Sequence, residues 1–347
     1  MSGLSIDKPE GDLRSGWSAT VDDYAIAGGW AESGQILVVG DTAGSVHAFE
    51  GTSGKVAWSR AHVHEGGLLC LAVHPREPVF ATAGQDGRLL LWSMADGQVR
   101  HETDVGRDWV ETMAWSPDGR RLAISCGRIA CVFGKDGSEL WRSQPHPSTV
   151  RAIAWSGSDE LATASYGQVA FFDAATGESR QTLGWTGSLV SMVLSPDGGI
   201  VACGSQDNSV HFWRRTTAED SMMSGYPGKP SALSFDASGT LLATGGGPVV
   251  TVWSFEGRGP EGTVPGHLSL HTRAITTLAF ANRGMRLASG ARDGAVGVWS
   301  LGPNGMGDLT GVGLSSGPVA ELYWRPDGRG LAALDAHGGV TVWRVAR

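Results

Sequence analysis

Charged side chains are scarce in this chain of 347 residues, at 18% of the total, and their balance is acidic, with a formal net charge of −8 and a pI near 5.7. That argues against nucleic acid as a partner, because phosphate recognition rests on a basic face. No 18 apolar residues run together, and the opening MSGLSIDKPEGDLRSGW has neither the basic start nor the apolar centre of a secretory signal. The expectation is a cytoplasmic protein without membrane contact. Cysteine is limited to four residues. Cys70, Cys131 and Cys203 lie inside apolar runs and Cys126 ends one, so they read as small buried residues and not as a disulfide or metal pair. Catalytic signatures are missing too: no Gly-x-Ser-x-Gly elbow, no phosphate loop ending in Gly-Lys-Ser or Gly-Lys-Thr, no His-Glu-x-x-His. Gly245-Gly246-Gly247 lacks the following helix that a phosphate cradle needs. Ten histidines are present, yet His62 has no ligand-spaced companions that would make a zinc site. We therefore expect no enzyme activity, no cofactor and no metal.

Glycine (52) and tryptophan (14) are plentiful instead. From His64 to Trp92 three short apolar runs, Leu68 to Val73, Val79 to Ala83 and Leu89 to Trp92, are separated by turn-rich breaks, the pattern of an antiparallel meander. The same three runs recur from Ala274 to Trp299, with Asp293-Gly294 where the first has Asp86-Gly87. Pro-Asp-Gly turns return at Pro117, Pro196 and Pro326. The aromatics that end each third run are Phe49, Trp92, Phe133, Phe172, Trp213, Trp253, Trp299 and Trp343, spaced by 43, 41, 39, 41, 40, 46 and 44 residues. A lone meander cannot bury its faces, so tandem copies at this period predict a ring of four-stranded units. Eight triplets predict eight units. Too few residues follow Trp343 for a fourth strand, whereas residues 13–21 form a spare strand-like segment at the other end. That segment is expected to close the ring on the last unit.

An apolar strand, a Ser-Pro-Asp-Gly turn, a Leu-Ala-Ser-Gly strand, an Asp-Gly turn and a strand ending in Trp resemble the WD-repeat (Trp-Asp repeat) β-propeller family, over roughly Asp22 to Val345. The resemblance implies an all-β, closed β-propeller of four-stranded antiparallel blades, with eight blades expected and seven as the alternative. Residues 1–12 are expected to be a flexible N-terminus and 13–347 a single propeller domain. It further implies a structural hydrogen-bonded network in each regular blade, here His64, Thr82, Asp86 and Trp92, and again His271, Ser289, Asp293 and Trp299. The other blades depart from the pattern. Trp185 stands at the His position of the fifth, Phe172 ends the fourth, and the first and eighth have Ala43 and His337 in place of the turn Asp.

The resemblance implies a non-catalytic scaffold for a protein or peptide partner, monomeric on its own. The alternative is a propeller enzyme or metal-binding accessory protein with a site near the central channel. The Gly- and Ala-rich composition suggests a bacterial source. Loops before each first strand and turns between the second and third share one edge of a four-stranded meander, and should build one face. On it the middle blades carry Arg107, Trp109, Arg151, Trp185, Tyr226 and Lys229, with Gln206 and Arg292 at the margin, residue types that often dominate interface energy. These are the expected partner-binding residues.

Overall fold

A computed structural model describes residues 8–346, and residues 1–7 of the expected flexible N-terminus lie outside it. Eight antiparallel sheets succeed one another along the chain, each a blade whose four strands we name a to d. Blade two shows the plan: Leu68–Val73 (a), Val79–Gly84 (b), Arg88–Ser93 (c) and Val99–Asp104 (d). The a strands of successive blades touch one another all the way round, including those of blades one and eight, so they line the centre of a closed ring.

Burial follows from that placement. Every residue of Val79–Gly84 is buried, because a b strand is flanked by neighbours within its sheet and covered by blades on both faces. Val99–Asp104, at the outer edge, alternates between exposed and half-buried residues. The core therefore lies between blades. Ala81, Leu89 and Leu91 of blade two, for instance, pack with Leu122, Ile124 and Phe133 of blade three. Full burial of each such side chain contributes about 1.5–3 kcal/mol.

Tryptophan joins blades by more than area. Trp115, Trp155, Trp324 and Trp30, each on an a strand, donate their indole N–H to a carbonyl of the preceding blade's a strand, at Ala72, Ala114, Ala279 and Tyr323. The distances run from 2.8 to 3.1 Å. The a–b turns hold themselves: Ser116 Oγ donates to Asp118 (2.7 Å), and Gly119 adopts φ +74°, which a side chain there would oppose while also meeting the His74 ring.

Closure is made by the N-terminal segment. Leu13–Thr20 pairs antiparallel with the last strand, Gly339–Val345, from Leu13 opposite Val345 to Thr20 opposite Gly339, and so supplies strand d of blade eight. The stretch expected to be flexible is not so throughout. Glu10–Gly11 pairs with Gly307–Leu314 and gives blade seven a fifth strand, because its outer edge still offered unpaired amides and carbonyls.

Candidate partner-binding face

The d–a loops and b–c turns form one face, and in blade two a side-chain chain runs down from it. Asp86 Oδ1 lies 3.0 Å from His64 Nδ1, His64 Nε2 lies 2.8 Å from Thr82 Oγ1, and Trp92 Nε1 donates to the same oxygen at 2.8 Å. Indole nitrogen can only donate, so Thr82 accepts from Trp92 and gives its own proton to His64 Nε2. That leaves the imidazole proton on Nδ1, aimed at Asp86. Burial pushes the His64 pKa down despite the carboxylate beside it. Burial raises the Asp86 carboxyl, but hydrogen bonds from His64 and Arg88 outweigh it and the net shift is downward.

Blade seven repeats the lower half of this chain, with Ser289 Oγ 2.8 Å from both His271 Nε2 and Trp299 Nε1. Its upper half differs. His271 Nδ1 stands 3.5 Å from Asp293, which is held instead by the amides of Thr272 (2.6 Å) and Ala295 (3.0 Å). In blade four a backbone carbonyl replaces the missing carboxylate: His146 Nδ1 meets Arg128 O at 3.1 Å while Nε2 meets Thr163 at 2.9 Å. Blade six uses a phenol. The Tyr226 hydroxyl accepts from Trp253 Nε1 and meets Thr244 Oγ1, both at 2.8 Å.

The blades lacking a turn Asp keep a carboxylate two residues earlier. Asp41 and Asp335 end the b strands of blades one and eight, fully buried. Asp41 accepts from the Ser45 amide and contacts His47 Nε2 at 3.1 Å. Asp335 accepts from the Ser315 and Ser316 hydroxyls and the amides of Gly317, His337 and Gly339. Gly-Asp and Leu-Asp at the ends of those strands were the available signal. With Asp22, which lies 3.7 Å from His47, Asp41 and His47 form a group whose atoms could hold a metal ion. His47 is also engaged by Ser59 at 3.1 Å.

The expected binding residues fall into two kinds. Arg107, Lys229, Gln206 and Arg292 are exposed, and Trp109 is 51% exposed on a cleft of about 280 Å³ that Arg107, Asp108, Glu111, Gly127 and Thr149 also line. Arg151 is exposed but pairs with Glu111. Tyr226 and Trp185 are half-buried. Tyr226 is fixed by its two hydrogen bonds, whereas Trp185 only stacks on His211 and its indole N–H has no partner. Tyr166, 53% exposed at the blade-four turn, was passed over because its neighbour Gly167 marked it merely as a turn residue. Glu321 on strand a of blade eight was passed over as well. It receives a hydrogen bond from Thr277 (3.2 Å), and burial pushes its carboxyl up to about 7. The four cysteines are buried and unbridged. Burial drives the Cys131 thiol up to about 12.

Comparison with known proteins bears on these features. Residues 5–222 match the family model described as outer membrane protein assembly factor BamB, and residues 259–300 match the model for the WD domain, G-beta repeat. The telomerase protein component 1 of Mus musculus is 23% identical over 299 residues, which are 81% of this chain and 11% of that protein. Autophagy-related protein 16 of Arabidopsis thaliana is 23% identical over 86% of this chain and 60% of its own length. The guanine nucleotide-binding protein subunit beta of Oryza sativa subsp. japonica is 24% identical over 68% of this chain and 69% of its own. This chain thus spans only about a tenth of the telomerase component and 60% of the autophagy protein. The crystal structure of the computationally designed Ika8 protein superposes with a TM-score of 0.81 at 20% identity, over 94% of this chain and 98% of that one, a likeness of fold alone. Eight blades with the WD turn-and-tryptophan pattern, together with these matches, show that the chain belongs to the WD-repeat β-propeller family and, over residues 5–222, to the family of the BamB model.

Proposed function

We propose that this protein is a non-catalytic scaffold that holds a protein or peptide partner on the face built by its d–a loops and b–c turns. The observation that carries the reading is Trp109, a large aromatic left 51% exposed at the rim of a cleft, beside the exposed Arg107. Exposed aromatics cost solvation unless something covers them, and Trp with Arg is the pairing most often found at binding hot spots. Tyr166, Gln206 and Lys229 extend the same face across blades four to six. The relatives' WD repeats support a role in protein interaction, and the four unbridged cysteines support a cytoplasmic, bacterial setting as part of this reading.

The test is capture of partners from native lysate by the wild type, Trp109→Ala and Arg107→Ala. Both variants should melt as the wild type does and lose most of the captured partner. Full recovery by both folded variants would move the site elsewhere on the ring.

A further inference from the structure

Cations on this acidic protein are mostly neutralised in place. Arg88 reaches Asp86 and Glu102, Arg151 reaches Glu111, Arg215 reaches Glu160, and Arg325 reaches Asp327. Lys229, Arg273 and Arg292 are different. All three are exposed on the loop face, and among the described residues none of them forms an ion pair or a side-chain hydrogen bond. Their nearest sequence neighbour of opposite sign, Asp293, is already occupied by the Thr272 amide and hydroxyl, the Ala295 amide and the His271 ring nearby.

The three cations also lie on loops that touch in series. Gly228, next to Lys229, abuts Gly246, since a Cβ on Gly246 would lie 2.8 Å from the Gly228 carbonyl. Gly247 O accepts from Ile275 N, at the end of the loop carrying Arg273, and Ala274 O accepts from Arg292 N, both at 3.0 Å. Between Lys229 and Arg273 the turn Gly246-Gly247 raises no side chain, so an extended backbone can approach there. Across the ring the same face turns acidic, with Asp22, Asp23 and Glu65 exposed on blades one and two. The face is electrically polar within a protein of net charge −8, which gives an anionic chain one sector where it is attracted.

We propose that blades six and seven form the docking stripe for an extended peptide segment bearing anionic side chains, with Lys229, Arg273 and Arg292 as its counter-charges. The inference rests on the partner-binding reading above and names the chemistry of that partner. Carboxylate and phosphate ester side chains share this chemistry, and the test separates them.

Fluorescence anisotropy is measured with three labelled peptides of equal length, in which Glu, phosphoserine or Lys alternates with Gly-Ser spacers, and with a short oligodeoxythymidylate. Two triple variants carry the same change in net charge: Lys229→Glu with Arg273→Glu and Arg292→Glu on the stripe, and Arg120→Glu with Arg283→Glu and Arg329→Glu on a–b turns of the opposite face. We expect salt-sensitive binding of the Glu or the phosphoserine peptide, the tighter of the two identifying the source, and none of the Lys peptide. The stripe triple should weaken it at least tenfold while the opposite-face triple stays within about threefold. Three results would overturn the proposal: neither anionic peptide binding the wild type, equal losses in both triples, or the oligonucleotide binding as tightly as the peptides. Peptide failure with capture still dependent on Trp109 overturns this inference alone. Capture independent of Trp109 and Arg107, with peptide binding intact, overturns only the placement of the site at blade three.

Discussion

Blades two and five are built on one template and solve it differently. In blade two Thr82 stands on strand b opposite Leu90, and His64, Asp86 and Trp92 complete a chain in which each polar atom has a partner. In blade five Cys203 takes the place of Thr82, opposite His211, and Trp185 takes that of His64. A thiol is a poor acceptor and indole has only one donor, so nothing links the turn to the core. His211, buried, is left with neither ring nitrogen bonded, and Trp185 Nε1 is orphaned above it. The imidazole at the same place in blade one, His47, has Asp41 and Ser59. In blade five the residue matching Ser59 is Met222. Repetition fixes the shape of a blade, then, but each blade must satisfy its buried polar atoms by itself, and an unmet one costs about 1–3 kcal/mol.

The comparison predicts its largest difference at the turn carboxylates. Asp86→Ala strands His64 and the Glu65 amide and should cost about 1–3 kcal/mol, whereas Asp207→Ala, at a side chain 51% exposed, should cost under about 1 kcal/mol. Paired urea denaturation curves decide it, and equal losses would erase the distinction between the blades.

A second unpaired group sharpens the comparison through pH. The Glu321 carboxyl, raised by burial to about 7 from an ordinary 4.5, binds its proton more tightly in the folded state. Stability from this group is therefore present below about pH 4.5 and lost as pH climbs through about 7, by on the order of 2 kcal/mol. Glu321→Gln should flatten that fall in melting temperature between pH 5 and pH 8. An unchanged profile would mean that the carboxyl is solvated in the channel.

His211→Leu puts into blade five the residue that blade two has there. Removing two unmet nitrogens should stabilise the protein by about 1 kcal/mol. The pH dependence should respond too. Burial holds the His211 pKa down, so the unfolded chain takes up the proton first and stability falls as pH drops below about 6.5. The variant should lose part of that fall and retain the part due to His64, also depressed by burial. Destabilisation by His211→Leu would show that the imidazole has partners after all.

The smallest effect belongs to the opposite face. Asp118 accepts from the Ser116 hydroxyl and the Arg120 amide within a half-exposed turn, and Asp118→Ala should cost under about 1 kcal/mol in the same denaturation series. A loss equal to that of Asp86→Ala would put turn formation, not the buried chain, in control.

Blade number, strand order and closure were legible in the amino-acid sequence because they rest on local signals repeated at one period. Each aromatic from Phe49 to Trp343 falls on the c strand of its own blade, and the spare segment near the N-terminus pairs where the missing strand was. A turn needs its Gly at a positive φ and a strand needs its apolar run whatever surrounds them. The polar interior was only partly legible. The sequence names the donors and acceptors, but the partner each finds depends on which backbone lies within 3 Å. Arg128 O beneath His146, Tyr226 between Thr244 and Trp253, and Asp41 standing two residues before the expected turn position are decided by neighbouring loops and strands. The same holds for the face. Sequence placed Trp109, Trp185 and Tyr226 alike on it, and only packing separated an exposed indole from one laid on His211 and from a phenol tied into its blade. Exposure is set by the distance to the next blade, which no local pattern encodes.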